Sequence, residues 1–376
     1  MNETIAITAN TSWYVYNFRK NTILALLENN YKVVIISPFD EYAEKLTDLG
    51  VKHIHINIDS NGMNPIKDIL TFMSFLRIFK KEKVNLILNF TPKNNIYSTL
   101  AGKINKVKVI NNIAGLGRVF IDNSILTKLV KVLYKLSQKH ADFIFFQNNE
   151  DMEVFVKNNL VKKDYFEVIP GSGVDLKRFK YSHKNEKNNG KIKFLLMSRL
   201  LWDKGIKQYV EAAKECKLRY GDQVDFYLMG FIKDNKNYVD INQISAWEND
   251  GYIKYLGSSD NVEKIISDKD CMVLPSFYRE GVPKSLLEAG AMGKPIITTN
   301  NVGCREVVDD EQNGYLCEPK STESLTNAII KFIELCDEKK LIMGINSRKK
   351  IEQSFDEKII LQKYMSKIED IINGMG

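Results

Sequence analysis

The feature that most restricts this chain is an alternation that runs its course twice. Short β-rich apolar runs trade places with helical stretches: "TIAITA", a helix over about 17–30, "KVVIISP", a helix over about 40–49 and "HIHINI". A helix over about 65–82 follows, then "NLILNF", a helix over about 93–105, and "KVINNI". Apolar strands separated by helices build βαβ units and a parallel sheet. After "ADFIFFQN", a helix near 150–159 and "FEVIP", the stretch "GSGVDLKRFKYSHKNEKNNGK" is rich in glycine, lysine and asparagine, a linker by composition. The alternation then restarts with "KIKFLLMSRL", a helix over 205–219, "VDFYLMG", a helix near 238–248, "IKYLG", a helix over 260–267, "CMVLPS" and "PIITT". At 376 residues the chain is too long for one ordinary core. The expectation is an α/β protein of two Rossmann-like βαβ domains facing a central cleft, with ligands beyond the carboxyl ends of the strands. The expected bounds are 1–172, a linker at 173–190, and 191–355. "FDEKIILQKYMSKIEDII" has helical apolar spacing, and a terminal helix over about 356–376 is expected to pack back on the first domain.

Composition narrows the function classes. Hydrophobic residues at 44% and charged ones at 27% are those of a folded chain. Five cysteines without a CxxC pair fit reduced thiols rather than a disulfide framework or zinc site. "MNETIAITAN" lacks the basic flank of a signal peptide, and "ILTFMSFLRIF", interrupted by Arg77, is too short to span a bilayer. The net charge of +7 is uneven: residues 1–185 hold 26 Lys/Arg against 17 Asp/Glu, the remainder 28 against 30. A basic half suits an anionic partner such as a phospholipid surface, a lipid diphosphate or nucleic acid, and equally a lysine-rich solvated surface.

The stretch "FYREGVPKSLLEAGAMGKPIITTN" carries two glutamates eight positions apart. "CMVLPS" before it reads as a buried strand. Pro283 stands at an expected first helical position, and Gly293 before Pro295 marks the stop. First-turn amides around Lys284, Ser285 and Leu286 are expected to lack intrahelical partners and to suit phosphate oxygens. Glu280 then lies in the loop before the helix, and Glu288 about 7–8 Å along it. Carboxylates so placed accept hydrogen bonds from sugar hydroxyls; as ordinary helix residues they would be a favourable N-terminal acid and a solvated side chain. Upstream, "MSRLLWDKGI" puts Arg199 and Lys204 where a strand ends and a helix begins. A planar fork and a point charge beside a helix start suit a departing diphosphate without metal, and otherwise are ordinary surface charge at a loop.

"SRLLWDKGI", "YLGSSDNV" and "EGVPKSLLEAGAMGKPIITTNNVGCREVV" together resemble the donor half of retaining glycosyltransferase family 4, of the GT-B fold, over most of residues 190–350. The resemblance implies that Arg199 and Lys204 hold the diphosphate. It implies that Glu280 contacts donor-sugar hydroxyls and Glu288 the ribose, with Gly281, Val282, Lys284, Ser285 and Leu286 helping through their amides. The first half departs from the family's Gly-Gly loop, having "ANTSWYVYNFRKN" instead. Its "YNFR", "NFTPKNNIYSTLAGK" and "NNIAGLGRVFID" resemble a subgroup of N-acetylhexosaminyltransferases that extends undecaprenyl-diphosphate-linked sugars. Acceptor candidates are therefore Asn17, Arg19, Lys93, Asn94, Gly115, Gly117 and Arg118, with the glycines freeing backbone to approach an anion. No functional histidine aligns; Lys93 stands at the corresponding place in "NFTPKNN", so no general base is assigned.

"SILTKLVKVLYKLSQKHA" repeats Lys128, Lys131, Lys135 and Lys139 at helical spacing, with Leu126, Leu129, Val130, Leu133 and Leu136 largely on another side. This reads either as an interfacial amphipathic helix or as a domain helix with its lysine face in water. Asp268-Lys269-Asp270 matches a metal-binding DxD pattern but stands just ahead of a buried strand, where polar residues are expected anyway. His53 and His55 are expected in core or surface roles, and His140 as a partial positive charge near a helix end. The expected activity is retaining transfer of N-acetylgalactosamine, or another N-acetylhexosamine, from a UDP-sugar to a polyprenyl-diphosphate-linked saccharide. No cofactor, metal or nucleic acid is expected, and the location is the cytoplasmic face of the cell membrane, peripherally bound. Rivals are transfer of another hexose, a UDP-sugar epimerase or hydrolase of the same architecture, and a polyanion-binding protein with a relict sugar cleft.

Overall fold

The computed structural model describes residues 3–374 apart from 60–61, 63, 117–124, 163, 182–189 and 234, and the side chains of 125–126. The chain forms two compact units, one of residues 1–172 with 358–376 and the other of residues 173–357. The first unit holds 25 Lys/Arg against 18 Asp/Glu and the second 29 against 29, so the whole excess of +7 belongs to the first.

The strands of the first unit are β1 (Thr4–Thr8), β2 (Lys32–Ser37), β3 (Lys52–His55), β4 (Leu86–Asn89), β5 (Lys108–Ile113), β6 (Phe143–Phe146) and β7 (Phe166–Val168). They form one parallel sheet in the order β3-β2-β1-β4-β5-β6-β7. Strand order reverses beside β1, so β1 and β4 flank a topological switch point, where ligands of such sheets bind. The first helix, Ser12–Glu28, begins earlier than its apolar spacing suggests because the Thr11 hydroxyl accepts the Tyr14 amide at 3.1 Å. One sheet face is covered by that helix and by the terminal helix Glu357–Ile372 through Ile360, Tyr364, Ile368 and Ile371. The other is covered by the helices Pro65–Glu82 and Ile125–Gln138, through Phe75, Phe79 and Tyr134. The expected helix over 93–105 is instead a π-type turn, Asn94–Ser98, running into an α-helix, Thr99–Asn105.

The second unit has β8 (Ile192–Met197), β9 (Val224–Met229), β10 (Lys254–Tyr255), β11 (Cys271–Leu274), β12 (Ile296–Thr299) and β13 (Gly314–Cys317). Its parallel sheet runs β10-β9-β8-β11-β12-β13, with its switch point between β8 and β11. Part of the stretch read as linker belongs to this unit's body. Val174 and Phe179 are buried in its core, and Val174 bridges to Asp356. Gly173, at φ +66°, lies so close to Glu357 that a Cβ would meet its Cα at 2.5 Å. The two places where the chain passes between units are therefore pressed together.

Candidate active site

The switch point of the second sheet gathers the residues singled out by their charge. Arg199 stands two residues past the end of β8 and is exposed. Lys204 closes a short 3-10 turn, Trp202–Lys204, that Gly205 ends in the left-handed region at φ +76°. A Cβ on Gly205 would meet the Pro275 carbonyl at 2.2 Å, so only glycine lets this turn lie against the end of β11. The contact is fixed by the amides of Phe277 and Tyr278, which both donate to the Asp203 carbonyl, at 2.9 and 3.0 Å.

That turn delivers Lys204 to Glu280. The two form an ion pair in which both side chains are largely buried, 7% and 12% exposed, and the Ser276 hydroxyl donates to the same carboxylate oxygen at 3.1 Å. The loop that carries Glu280 rests on Gly303, at φ +83°, where a Cβ would stand 1.9 Å from the Gly281 carbonyl. Asn301 donates to the Tyr278 carbonyl at 3.0 Å, and Thr299 to that of Ser276. Cys304 lies beside Glu280, and burial pushes its thiol up to about 12, so it remains protonated.

The helix runs Lys284–Ala291, with Pro283 as its cap at ψ 120° rather than its first residue. The Leu286 amide donates to the Pro283 carbonyl at 3.1 Å, which corrects the expectation that it is a free donor. Gly281 and Val282 are buried, Lys284 and Ser285 half-buried. Glu288 is half-buried, and desolvation raises its carboxyl to about 7 against the pull of Lys284 and Arg178, with Glu263 adding to the rise.

The acceptor candidates of the first unit fare differently. Arg19 is 1% exposed, its guanidinium 4.0 Å from the Phe90 ring centroid and donating to the Tyr14 hydroxyl at 3.1 Å. It therefore acts from beneath the surface and not as an exposed diphosphate ligand. Lys93 is held by Asp68 at 2.5 Å, with Tyr97 on the other carboxylate oxygen at 2.8 Å, so its charge is already neutralised. Asn94 is fully buried against Thr91, and Asn17 donates to the Trp13 carbonyl at 3.0 Å. Gly115 stands at φ +95°, in the left-handed region. Gly117 and Arg118 lie outside the described residues.

Other sequence signals resolve structurally. Asp268 is gripped by Lys193 and Lys269, at 2.7 and 2.8 Å, and Asp270 accepts the Lys193 amide at 2.8 Å. His140 sits 2.9 Å from the Lys103 ammonium, and burial followed by that lysine lowers its pKa. This corrects the partial positive charge expected there. His53 hydrogen-bonds Ser12 and Ser37, each at 3.1 Å.

Residues 177–350 match the family described as Glycosyl transferases group 1, and residues 4–148 that described as Glycosyl transferase 4-like. The N,N'-diacetylbacillosaminyl-diphospho-undecaprenol alpha-1,3-N-acetylgalactosaminyltransferase of Campylobacter jejuni is 31% identical, over 96% of this chain and 97% of the relative. The chain is a member of this glycosyltransferase family. A second relative of the glycosyltransferase, the UDP-Gal:alpha-D-GlcNAc-diphosphoundecaprenol alpha-1,3-galactosyltransferase of Escherichia coli, is 30% identical over 81% of this chain and 79% of its own. Among solved structures, HepE of Anabaena with UDP and glucose aligns at TM-score 0.81 and 18% identity, over 98% of this chain and 100% of that one. A glycosyltransferase of Rickettsia africae aligns at 0.76 and 20%, over 99% and 98%. Those two likenesses carry the fold, GT-B. Sequence reasoning about the glycosyltransferase missed Ser276, Gly205 and Gly303. The glycines of "DKGI" and "NVGC" were visible, but only the packing shows what a side chain there would strike.

Proposed function

We propose that the glycosyltransferase moves N-acetylgalactosamine, or another N-acetylhexosamine, from a UDP-sugar to a saccharide linked to a polyprenyl diphosphate, with retention at the anomeric carbon. One observation carries the reading: the Lys204–Glu280 pair stands at the switch point of the second sheet, beside Arg199 and the head of the helix bearing Glu288. The donor diphosphate lies against Arg199, Lys204 and the amides between Gly281 and Ser285, with Glu288 on the ribose. Lys204 turns part of its charge from Glu280 to the phosphate, and Glu280 accepts hydroxyls of the transferred sugar. As the bond to the anomeric carbon breaks, charge builds on the leaving phosphate and is met by fixed cations. The acceptor hydroxyl then enters on the same face and passes its proton to that phosphate. The donor and acceptor classes are those in the names of the Campylobacter and Escherichia relatives.

The first unit is the acceptor side and binds the cytoplasmic membrane face peripherally. Among the described residues no helix is long and apolar enough to cross a membrane. The helix Ile125–Gln138 instead exposes Leu129, Val132 and Leu136 beside Lys128 and Lys135, while Val130 and Leu133 pack inward. The leucines are thus split between core and surface rather than kept apart from the lysines. On the same sheet face, the helix Pro65–Glu82 exposes Ile66, Ile69, Leu70 and Met73. Mixed basic and apolar outer faces suit an anionic lipid interface.

The test is a screen of UDP- and GDP-sugars against a short-chain polyprenyl-diphosphate-sugar. UDP-N-acetylgalactosamine is the expected donor. Product from GDP-sugars alone, or release of free sugar without transfer, would overturn the reading. Transfer is expected to persist in EDTA; loss that a divalent ion restores would return Asp268 and Asp270 to consideration.

A further inference from the structure

The first unit contains a cavity of about 130 Å³ walled by Tyr14, Phe90, Ile113 and Tyr134, with Ala114 and Gly115 also lining it. Phe90 follows β4 and Ile113 ends β5, so the cavity lies near the switch point of that sheet. It has room for several water molecules' worth of ligand. One polar group stands out in it. Asn95 lines the cavity, is 1% exposed, and its Oδ1 has no hydrogen-bond partner among the described residues.

The orientation of that amide is fixed by its surroundings. Its Nδ2 donates to the Asn112 carbonyl at 2.8 Å, so a flipped amide would set oxygen against oxygen. Asn112 is held in turn by the Asn89 carbonyl at 3.0 Å and by the Tyr364 hydroxyl of the terminal helix. The Asn95 carbonyl is held by Thr99 at 2.9 Å and Gln138 at 2.7 Å. An amide so tied holds its oxygen in one direction, and a buried acceptor left unmet is rare enough to require a reason. A ligand N–H supplies one. Behind Phe90 stands the Arg19 guanidinium, whose charge disfavours a cationic occupant and suits a carbonyl dipole.

We infer that this cavity receives the acetamido group of the acceptor sugar, the amide N–H donating to Asn95 Oδ1 and the methyl resting on Phe90, Ile113 and Tyr134. The inference rests on the proposed polyprenyl-diphosphate acceptor. A sugar with a hydroxyl in that place leaves the apolar wall unfilled, and one with an ammonium brings charge toward Arg19. The geometry therefore makes Asn95 a specificity-determining residue.

The experiment compares short-chain polyprenyl diphosphates bearing N-acetylglucosamine, glucosamine or glucose, using the full chain and the UDP-sugar selected by the donor screen. The acetylated acceptor is expected to be preferred at least about tenfold in kcat/KM. Asn95→Ala should remove about tenfold from the acetylated acceptor and leave glucose within about twofold. Ala114→Leu, at an exposed position of the lining and outside the polar network, should narrow the cavity with the same selectivity and serves if Asn95→Ala does not fold. Equal use of acetylated and hydroxyl acceptors by the unaltered protein overturns the cavity assignment alone. So does an equal loss on both acceptors in Ala114→Leu. No transfer to any of the three, with UDP still raising Tm, overturns the acceptor reading together with the cavity.

Discussion

Lys204 and Glu280 lie 76 positions apart, yet each is the other's partner in a largely buried pair. Removing one partner leaves the other's charge in a poorly solvated place, which costs about 3 kcal/mol. Lys204→Ala is therefore expected to lower Tm as well as to reduce transfer by roughly a hundredfold or more, and Glu280→Ala to reduce transfer comparably. Undiminished kcat/KM in either variant would remove the site assignment. Glu288 adds a pH signature. Its folded carboxyl titrates near 7, above the ordinary 4.5, so it is partly protonated at neutral pH. Binding of a UDP-sugar, whose diphosphate keeps its charge throughout, should tighten by up to roughly tenfold from about pH 6 to about pH 8 as this carboxylate forms. The effect on folding has the opposite sign. The raised value means that stability is whole below 4.5 and is lost as pH rises through about 7. Glu288→Gln should flatten both trends; calorimetry with UDP-sugar and Tm across pH would show it, and an unchanged binding profile would refute the ribose role. Charge and spacing made these three residues visible in the sequence. Their pairing was not, because no local pattern encodes which long-range partner a loop brings.

At the scale of elements, the two glycine contacts decide where the loop of Glu280 lies. Gly303→Ala combines a left-handed backbone with a Cβ 1.9 Å from the Gly281 carbonyl, and is expected to cost about 2 kcal/mol or more and to abolish the rise of Tm on adding UDP. Gly257→Ala, at φ +67° with nothing within 4 Å of its Cβ, is the control: a cost of about 1 kcal/mol with the UDP effect intact. Equal UDP responses in the two variants would show that the 280–281 loop does not carry the donor. Strand identity was legible from β1 to β12 because buried parallel strands read as continuous apolar runs; β13, a four-residue strand with a glycine at its head, was not. Boundaries were less so. Pro283 was expected inside its helix and instead caps it, since its ψ of 120° is extended. The lysine-rich helix was legible as amphipathic but not in its rotation, which depends on Thr127, Tyr134, Ser137 and Gln138 turning inward. Leu129→Glu with Val132→Glu should reduce co-sedimentation with anionic vesicles while leaving UDP binding unchanged. Undiminished vesicle binding would move the membrane contact elsewhere.

At the scale of the molecule, the charge reading sharpens once the units are known: the half-chain count blurred an excess that lies wholly in the first unit. Vesicle binding should weaken steeply between about 0.1 and about 1 M salt, as the screening length falls from about 10 to about 3 Å. Binding indifferent to salt would assign the contact to the apolar side chains alone. The sequence also announced the terminal helix, though not that Tyr364 reaches the polar network under the Asn95 cavity. That helix gives the protein an unusual order of birth. On the ribosome the second unit, though translated later, has all its residues once position 357 emerges, whereas the first waits for the final segment. Until then the seat of Ile360, Tyr364, Ile368 and Ile371 stands bare. A nascent chain stalled just after position 357 has emerged would thus expose oily surface on the first unit and engage chaperones there, while the second is already closed.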